Sequence, residues 1–154
     1  MKGYPYGFVP ALVGTLLLMF VTGVLLAPTT LVLRAELALP WRLPGSGRVL
    51  TAALHAAGGF ALMLLLGALW SVHMRSGWRR RQQRASGVLL GTLLLVLAAS
   101  AVAVYYLGDE ALGTAAALVH LGAGMALAGP FGWHWLHGRR ARRQARAHAP
   151  GPWQ

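Results

Sequence analysis

Four long apolar segments alternate with short polar segments along the chain. They run from about Phe8 to Leu33, Val49 to Val72, Ser86 to Tyr106 and Gly113 to Leu136, and none contains Asp, Glu, Lys or Arg. About 20 consecutive apolar residues cross the hydrocarbon core of a bilayer as a helix. Lipid offers no partner to open backbone groups, so such spans are helical. We therefore predict an all-α membrane four-helix bundle, and its first span is too long for a cleaved signal peptide.

The composition agrees with a membrane protein. Hydrophobic residues make up 56% of the 154 residues and charged residues only 11%, whereas a soluble domain has about 25% charged residues. Disorder is excluded for most of the chain, because disordered segments have low hydrophobicity. We predict a transmembrane domain over residues 1–140 and a disordered basic tail over residues 141–154.

The net charge of +11 sorts by side of the membrane. Lys2, the loop between spans two and three, and the C-terminal tail hold nearly all the cations. The opposite side carries three arginines and three acids, which cancel. The positive-inside rule then places both termini in the cytoplasm. The charge is explained by orientation and by attraction to anionic lipid, so we expect no nucleic acid partner. The bias towards Ala, Leu, Arg and Gly favours a bacterial inner membrane.

Histidines divide the spans into a repeated pair of hairpins. Spans one and three contain none, whereas spans two and four each contain a histidine near the middle and further histidines near the cytoplasmic end. Ionisable groups inside a membrane are costly and are functional candidates by default. Two hairpins of the same order make spans two and four parallel. The histidines are His55 and His73 in span two, and His120, His134 and His137 in span four.

Helix geometry predicts which histidines face each other. A rise of about 1.5 Å per residue puts His73 about 27 Å below His55 and on the same face. His134 lies about 21 Å below His120 and about 40° away in azimuth. His137 lies about 25 Å below His120 and about 100° away. We expect His55 to face His120. For His73, similar azimuth favours His134 and similar height favours His137, and we prefer His134.

Paired imidazoles on two helices are what a b-type haem requires, because they bind iron from both faces of the macrocycle. The chain has no cysteine, which excludes covalent c-type haem. Small residues near the central histidines give room between helices, and arginines suit the anionic propionates. We predict one or two non-covalent haems b. The predicted contacts are Gly58, Gly59 and Gly124 for space, and Arg48, Arg75 and Arg139 for the propionates.

Residues 8–140, with four spans, paired histidines and adjacent glycines, resemble the small bacterial b-type cytochromes. These are the cytochrome b-561-like proteins and the cytochrome b subunits of membrane hydrogenases and formate dehydrogenases. The resemblance implies electron transfer to or from quinone or a partner redox subunit, and an oxidoreductase if the chain is an enzyme. Several relatives take a haem ligand from the first span, which has no histidine here.

The alternative is a haem-free accessory or anchor subunit with structural or metal-binding histidines. A cation-coupled multidrug transporter is disfavoured, because it needs a carboxylate within the membrane and the spans contain none. We assign no catalytic residue.

Overall fold

A computed structural model describes residues 5–70, 74–79 and 83–147. Within this part of the chain all regular structure is helical. Four of the helices are long and apolar enough to cross a membrane, which confirms the predicted all-α fold with four spans. The helices are α1 (Phe8–Arg34), α2 (Gly45–Leu69), α3 (Arg75–Arg79), α4 (Arg84–Tyr106) and α5 (Glu110–Ala147).

Three helix bounds differ from the prediction. α2 begins at Gly45, because Pro44 is extended and its carbonyl accepts the first helical hydrogen bond from Arg48 N at 2.8 Å. The short helix α3 lies in a connection for which no element was predicted. α5 runs to Ala147, so residues 141–147 are helical where disorder was predicted. Their Ala, Arg and Gln residues are strong helix formers, and residues 148–154 lie outside the described residues.

The α1–α2 connection and the α4–α5 turn lie at the same end of the bundle, here called the outer end. α1 ends there with Glu36 in the left-handed region at φ 53°, and Leu37 N donates to Leu31 O at 3.2 Å. This is the pattern of a Schellman cap. α5 starts there with Asp109, whose Oδ1 accepts from Leu112 N at 2.8 Å, as helix N-cap residues do.

The closely packed helix pairs are α1 with α2, α4 with α5, and α1 with α5. Two hairpins are thus joined through their first and last helices, and α2 does not pack along α5. Large apolar side chains point outwards, among them Phe60 at 76% and Leu64 at 78% exposure. The interior instead holds hydroxyls, with Thr22, Thr29 and Ser100 all buried. This inverted distribution is what a lipid solvent favours, since polar groups need protein partners there.

Candidate functional site: a histidine pair between α2 and α5

The structure brings His55 of α2 and His120 of α5 together. Their ring centroids are 6.1 Å apart and the ring planes cross at 78°. Each histidine lies 10 residues after the first residue of its helix, about 15 Å from the outer end. Both side chains are half-buried. The pair therefore connects two helices that do not pack closely elsewhere.

A threonine of α1 fixes the ring of His55. Thr22 Oγ1 lies 2.8 Å from His55 Nδ1 and also 2.6 Å from the carbonyl oxygen of Leu18. A carbonyl can only accept, so the hydroxyl proton goes to Leu18 and the hydroxyl oxygen accepts from Nδ1–H. His55 is thereby held in the Nδ1–H tautomer, which leaves the lone pair on Nε2.

A serine of α4 does the same for His120. Ser100 Oγ lies 3.0 Å from His120 Nδ1 and donates to the Val96 carbonyl at 2.7 Å. His120 Nδ1 is also 3.1 Å from the carbonyl oxygen of Leu97. Both neighbours require Nδ1 to be the donor, so Nε2 of His120 also carries the lone pair. Among the described residues, no hydrogen bond reaches Nε2 of either histidine.

The two hydroxyls reveal a closer repeat than the sequence showed. Leu97, which precedes Ser100 by three residues, corresponds to Met19, which precedes Thr22 by three, and the backbone of Met19 hydrogen-bonds His55. The helices without histidine thus supply the groups that orient the histidines. Sequence reasoning missed Thr22 and Ser100 because it searched spans one and three only for ligands. The available signal was a hydroxyl at the depth of each central histidine.

Gly23 is a second missed residue. A Cβ on Gly23 would lie 3.3 Å from Cε1 of His55. This is a tight contact, so the ring occupies space that only glycine leaves open on α1. Gly23 and its neighbour Thr22 together determine where the His55 imidazole lies.

The pair offers two neutral imidazole nitrogens and no other protein ligand. Within the described residues, no group of three or more His, Cys, Asp or Glu side chains could hold a metal ion, whereas zinc sites take three or four protein ligands. An ion bound linearly between two imidazole nitrogens, with bonds of about 2 Å, sets the ring centroids roughly 6 Å apart. The observed 6.1 Å matches this spacing. The donor set fits an iron whose other four ligands come from a macrocycle.

The predicted glycines lie beside the pair but face the neighbouring helix of their own hairpin. A Cβ on Gly58 would lie 2.7 Å from Met19 Sδ, and one on Gly59 would lie 3.8 Å from Met19 Cε. A Cβ on Gly124 would lie 3.8 Å from Leu97 Cδ2. These glycines therefore allow α1 and α2, and α4 and α5, to approach at the depth of the pair. Their contact with haem stays a prediction.

The histidines at the other end of the bundle separate into two environments. His134 Nδ1 lies 2.9 Å from Ser86 Oγ, again a hydroxyl of α4. His137 is exposed and stacks on Trp133 of its own helix, with ring centroids 5.1 Å apart. Its Nδ1 lies 3.1 Å from the Trp133 carbonyl. His134 thus shares the hydroxyl pattern of the central pair, while His73 lies outside the described residues.

The predicted arginines lie at opposite ends of the bundle. Arg48 is half-buried in the first turns of α2 and precedes His55 by seven residues. Arg75, the first residue of α3, and Arg139 in α5 are exposed at the far end. Arg48 is therefore the predicted propionate partner nearest the central pair, and the roles of all three stay predictions.

No family model matches this chain, and neither a curated protein nor a solved structure is similar to it. The function is therefore argued from the site itself.

Proposed function

We propose that this protein is a membrane b-type cytochrome that transfers electrons through haem held between α2 and α5. The observation that carries the proposal is the His55–His120 pair. Two imidazoles lie 6.1 Å apart, and each is oriented through Nδ1 so that Nε2 is left as a ligand. Such a hydrogen bond on the second nitrogen is the usual partner of a metal-binding histidine.

Each residue of the pair has a distinct task in this account. His55 and His120 hold the iron, which supplies one-electron redox chemistry when haem is bound. Thr22 and Ser100 accept the Nδ1 protons, which fixes both rings and raises the basicity of Nε2. The apolar helices exclude water from the site, and the buried polar groups remain paired.

A second haem near the far end would extend the path across the bilayer. We propose His134 as its ligand on α5, because its Nδ1 is bonded to Ser86 in the manner of the central pair. The partner predicted from the sequence is His73. His137 is the weaker candidate, because its exposed ring stacks on Trp133.

We propose that the protein lies in a bacterial inner membrane with both termini in the cytoplasm. The cation-rich α2–α4 connection and C-terminal segment support this orientation through the positive-inside rule. The electrons would be exchanged with quinone or a partner redox subunit, as the resemblance to small b-type cytochromes implies.

The test is the haem content of the full chain purified in mild detergent from cells supplied with haem precursor. We expect a Soret band, a sharp α band in the reduced-minus-oxidised spectrum and a haem-to-protein ratio of one or two. Proteoliposomes with an external reductant and an internal acceptor then measure electron transfer across the bilayer. Colourless protein that folds into a stable monodisperse species would refute the proposal.

The alternative, a haem-free anchor subunit, is favoured by one observation. The three hydroxyl–histidine hydrogen bonds join helices within the bundle whether or not a cofactor is present, and such bonds stabilise membrane bundles by about 0.6 kcal/mol each. Under this alternative, His55→Ala lowers stability to the same extent in cells with and without haem precursor. Under the proposed function, haem increases the difference.

A further inference from the structure

Three helices that meet at the histidine pair each carry a further notable position two turns towards the outer end. A shift of seven residues is close to two helical turns and about 10.5 Å of rise, so the azimuth is nearly unchanged. The new positions therefore share one level and the interior face of the bundle. They are Thr29 on α1, Arg48 on α2 and Gly113 on α5, which lie seven residues from Thr22, His55 and His120, respectively.

A second arginine reaches this level from the end of α1. Nη1 of Arg34 lies 3.6 Å from the place that a Cβ on Gly113 would occupy. The glycine thus lets the guanidinium lie against α5, above His120. Two cationic groups, Arg34 and Arg48, are therefore placed at the outer end of the site. Neither forms an ion pair within the described part of the chain.

The nearby acids do not neutralise these arginines. Asp109 and Glu110 are exposed at the start of α5, and the Asp109 carboxylate accepts a hydrogen bond from Leu112 N at 2.8 Å. Glu36 is exposed in the α1–α2 connection. This end of the bundle therefore has guanidinium donors without a carboxylate partner from the described residues.

Thr29 provides an independent sign of a missing partner. Its side chain is 93% buried and its Oγ1 makes no hydrogen bond with any described group. Thr22 and Thr30 of the same helix donate to the carbonyl four residues earlier, but Thr29 does not. A buried hydroxyl without a partner costs about 1–3 kcal/mol. Such groups in native structures point to a partner that binds there.

We propose that Thr29, Arg34 and Arg48 form an oxyanion-binding site at the outer end of the bundle. Guanidinium groups bind carboxylate and phosphate through two parallel hydrogen bonds, and the Thr29 hydroxyl adds a third type of donor. The oxyanion has two sources of the same chemistry, a carboxylate side chain of haem or the phosphate of an anionic lipid. The haem source rests on the proposed function, whereas the lipid source does not.

The first arm of the test compares haem with haem dimethyl ester, in which both carboxylates are esterified. Spectral titrations of the full-length apoprotein give the two dissociation constants. If the site holds carboxylate, the wild type binds haem at least tenfold more tightly than the ester. The Arg34→Gln/Arg48→Gln variant and Thr29→Val each reduce this ratio. Arg42→Gln, an exposed arginine in the same outer connection, leaves it unchanged.

The second arm uses no haem. Native mass spectrometry measures retention of phosphatidylglycerol against phosphatidylcholine by the apoprotein. A preference for phosphatidylglycerol that Arg34→Gln/Arg48→Gln removes, and Arg42→Gln retains, identifies lipid phosphate as the oxyanion.

The two arms separate the two proposals. If no haem binds but the phosphatidylglycerol preference depends on the arginine pair, the cytochrome proposal fails and the oxyanion site stands. If haem binds, and neither the haem-to-ester ratio nor the lipid preference changes in Arg34→Gln/Arg48→Gln, the oxyanion site is refuted and the cytochrome proposal stands. Thermal stability of each purified variant verifies that a loss of binding is not a loss of fold.

Discussion

Thr22→Val isolates the hydrogen bond that orients His55. Valine has nearly the same shape as threonine, so the change removes the hydroxyl that accepts from Nδ1–H at 2.8 Å and leaves the packing of α1 almost intact. Loss of a hydrogen bond to a metal-binding histidine lowers metal affinity by about 10–100-fold. This corresponds to about 1.4–2.7 kcal/mol at 25 °C. We expect a weakening of haem binding in this range.

The reduction potential moves in a predictable direction. A hydrogen-bonded Nδ1–H makes Nε2 a stronger electron donor, which favours ferric over ferrous iron. Thr22→Val removes this effect, so we expect a more positive reduction potential. In the apoprotein, the lost interhelical bond costs about 0.6 kcal/mol of unfolding free energy and at most about 1.7 kcal/mol.

The assay is a spectral titration of apoprotein with haem, followed by a redox titration of the loaded protein. Thr30→Val is the matched control, because the Thr30 hydroxyl donates to Leu26 of its own helix at 3.3 Å. The control loses a threonine hydroxyl from the same helix without touching a histidine. If Thr22→Val and Thr30→Val bind haem within twofold of each other and have the same potential, Thr22 does not orient a haem ligand.

Three further predictions concern other parts of the site. Ser100→Ala should weaken haem binding as Thr22→Val does, measured by the same titration, because it removes the equivalent acceptor on α4. Gly23→Ala should broaden the α band and weaken binding by displacing the adjacent imidazole on α2, whereas Gly14→Ala, which meets nothing within 4 Å, should do neither. If a second haem binds, His134→Ala should remove it and His137→Ala should retain it, as measured by haem stoichiometry. The opposite result would make His137 the ligand.

The helical architecture was predictable because lipid as solvent leaves few choices. A run such as Val49 to Val72 contains no group that lipid would reject, and backbone groups must pair internally. The spans were therefore located to within a few residues. The ends were less predictable, since the start of α2 depends on the backbone of Pro44 and the extension of α5 depends on propensity alone.

The candidate site was predictable only in part, for a physical reason. Equal depth in parallel helices was enough to place His55 beside His120. Rotation of the plain helices about their axes decides which hydroxyl reaches an imidazole, and α1 alone offers several, including Thr15, Thr22 and Thr29. Side-chain contacts across helices, rather than spacing along one helix, identified Thr22 and Ser100. The same contacts turned Gly58 towards α1.

The most direct test of the account is whether His55 and His120 bind the same haem. His55→Ala and His120→Ala are each purified, and haem-to-protein ratios, redox titrations and low-temperature reduced-minus-oxidised spectra are recorded beside the wild type. The account predicts that both variants lose one haem with the same α band and the same reduction potential, and that the double variant loses nothing more. Variants that lose different haems, or that keep the full wild-type haem content, would contradict it.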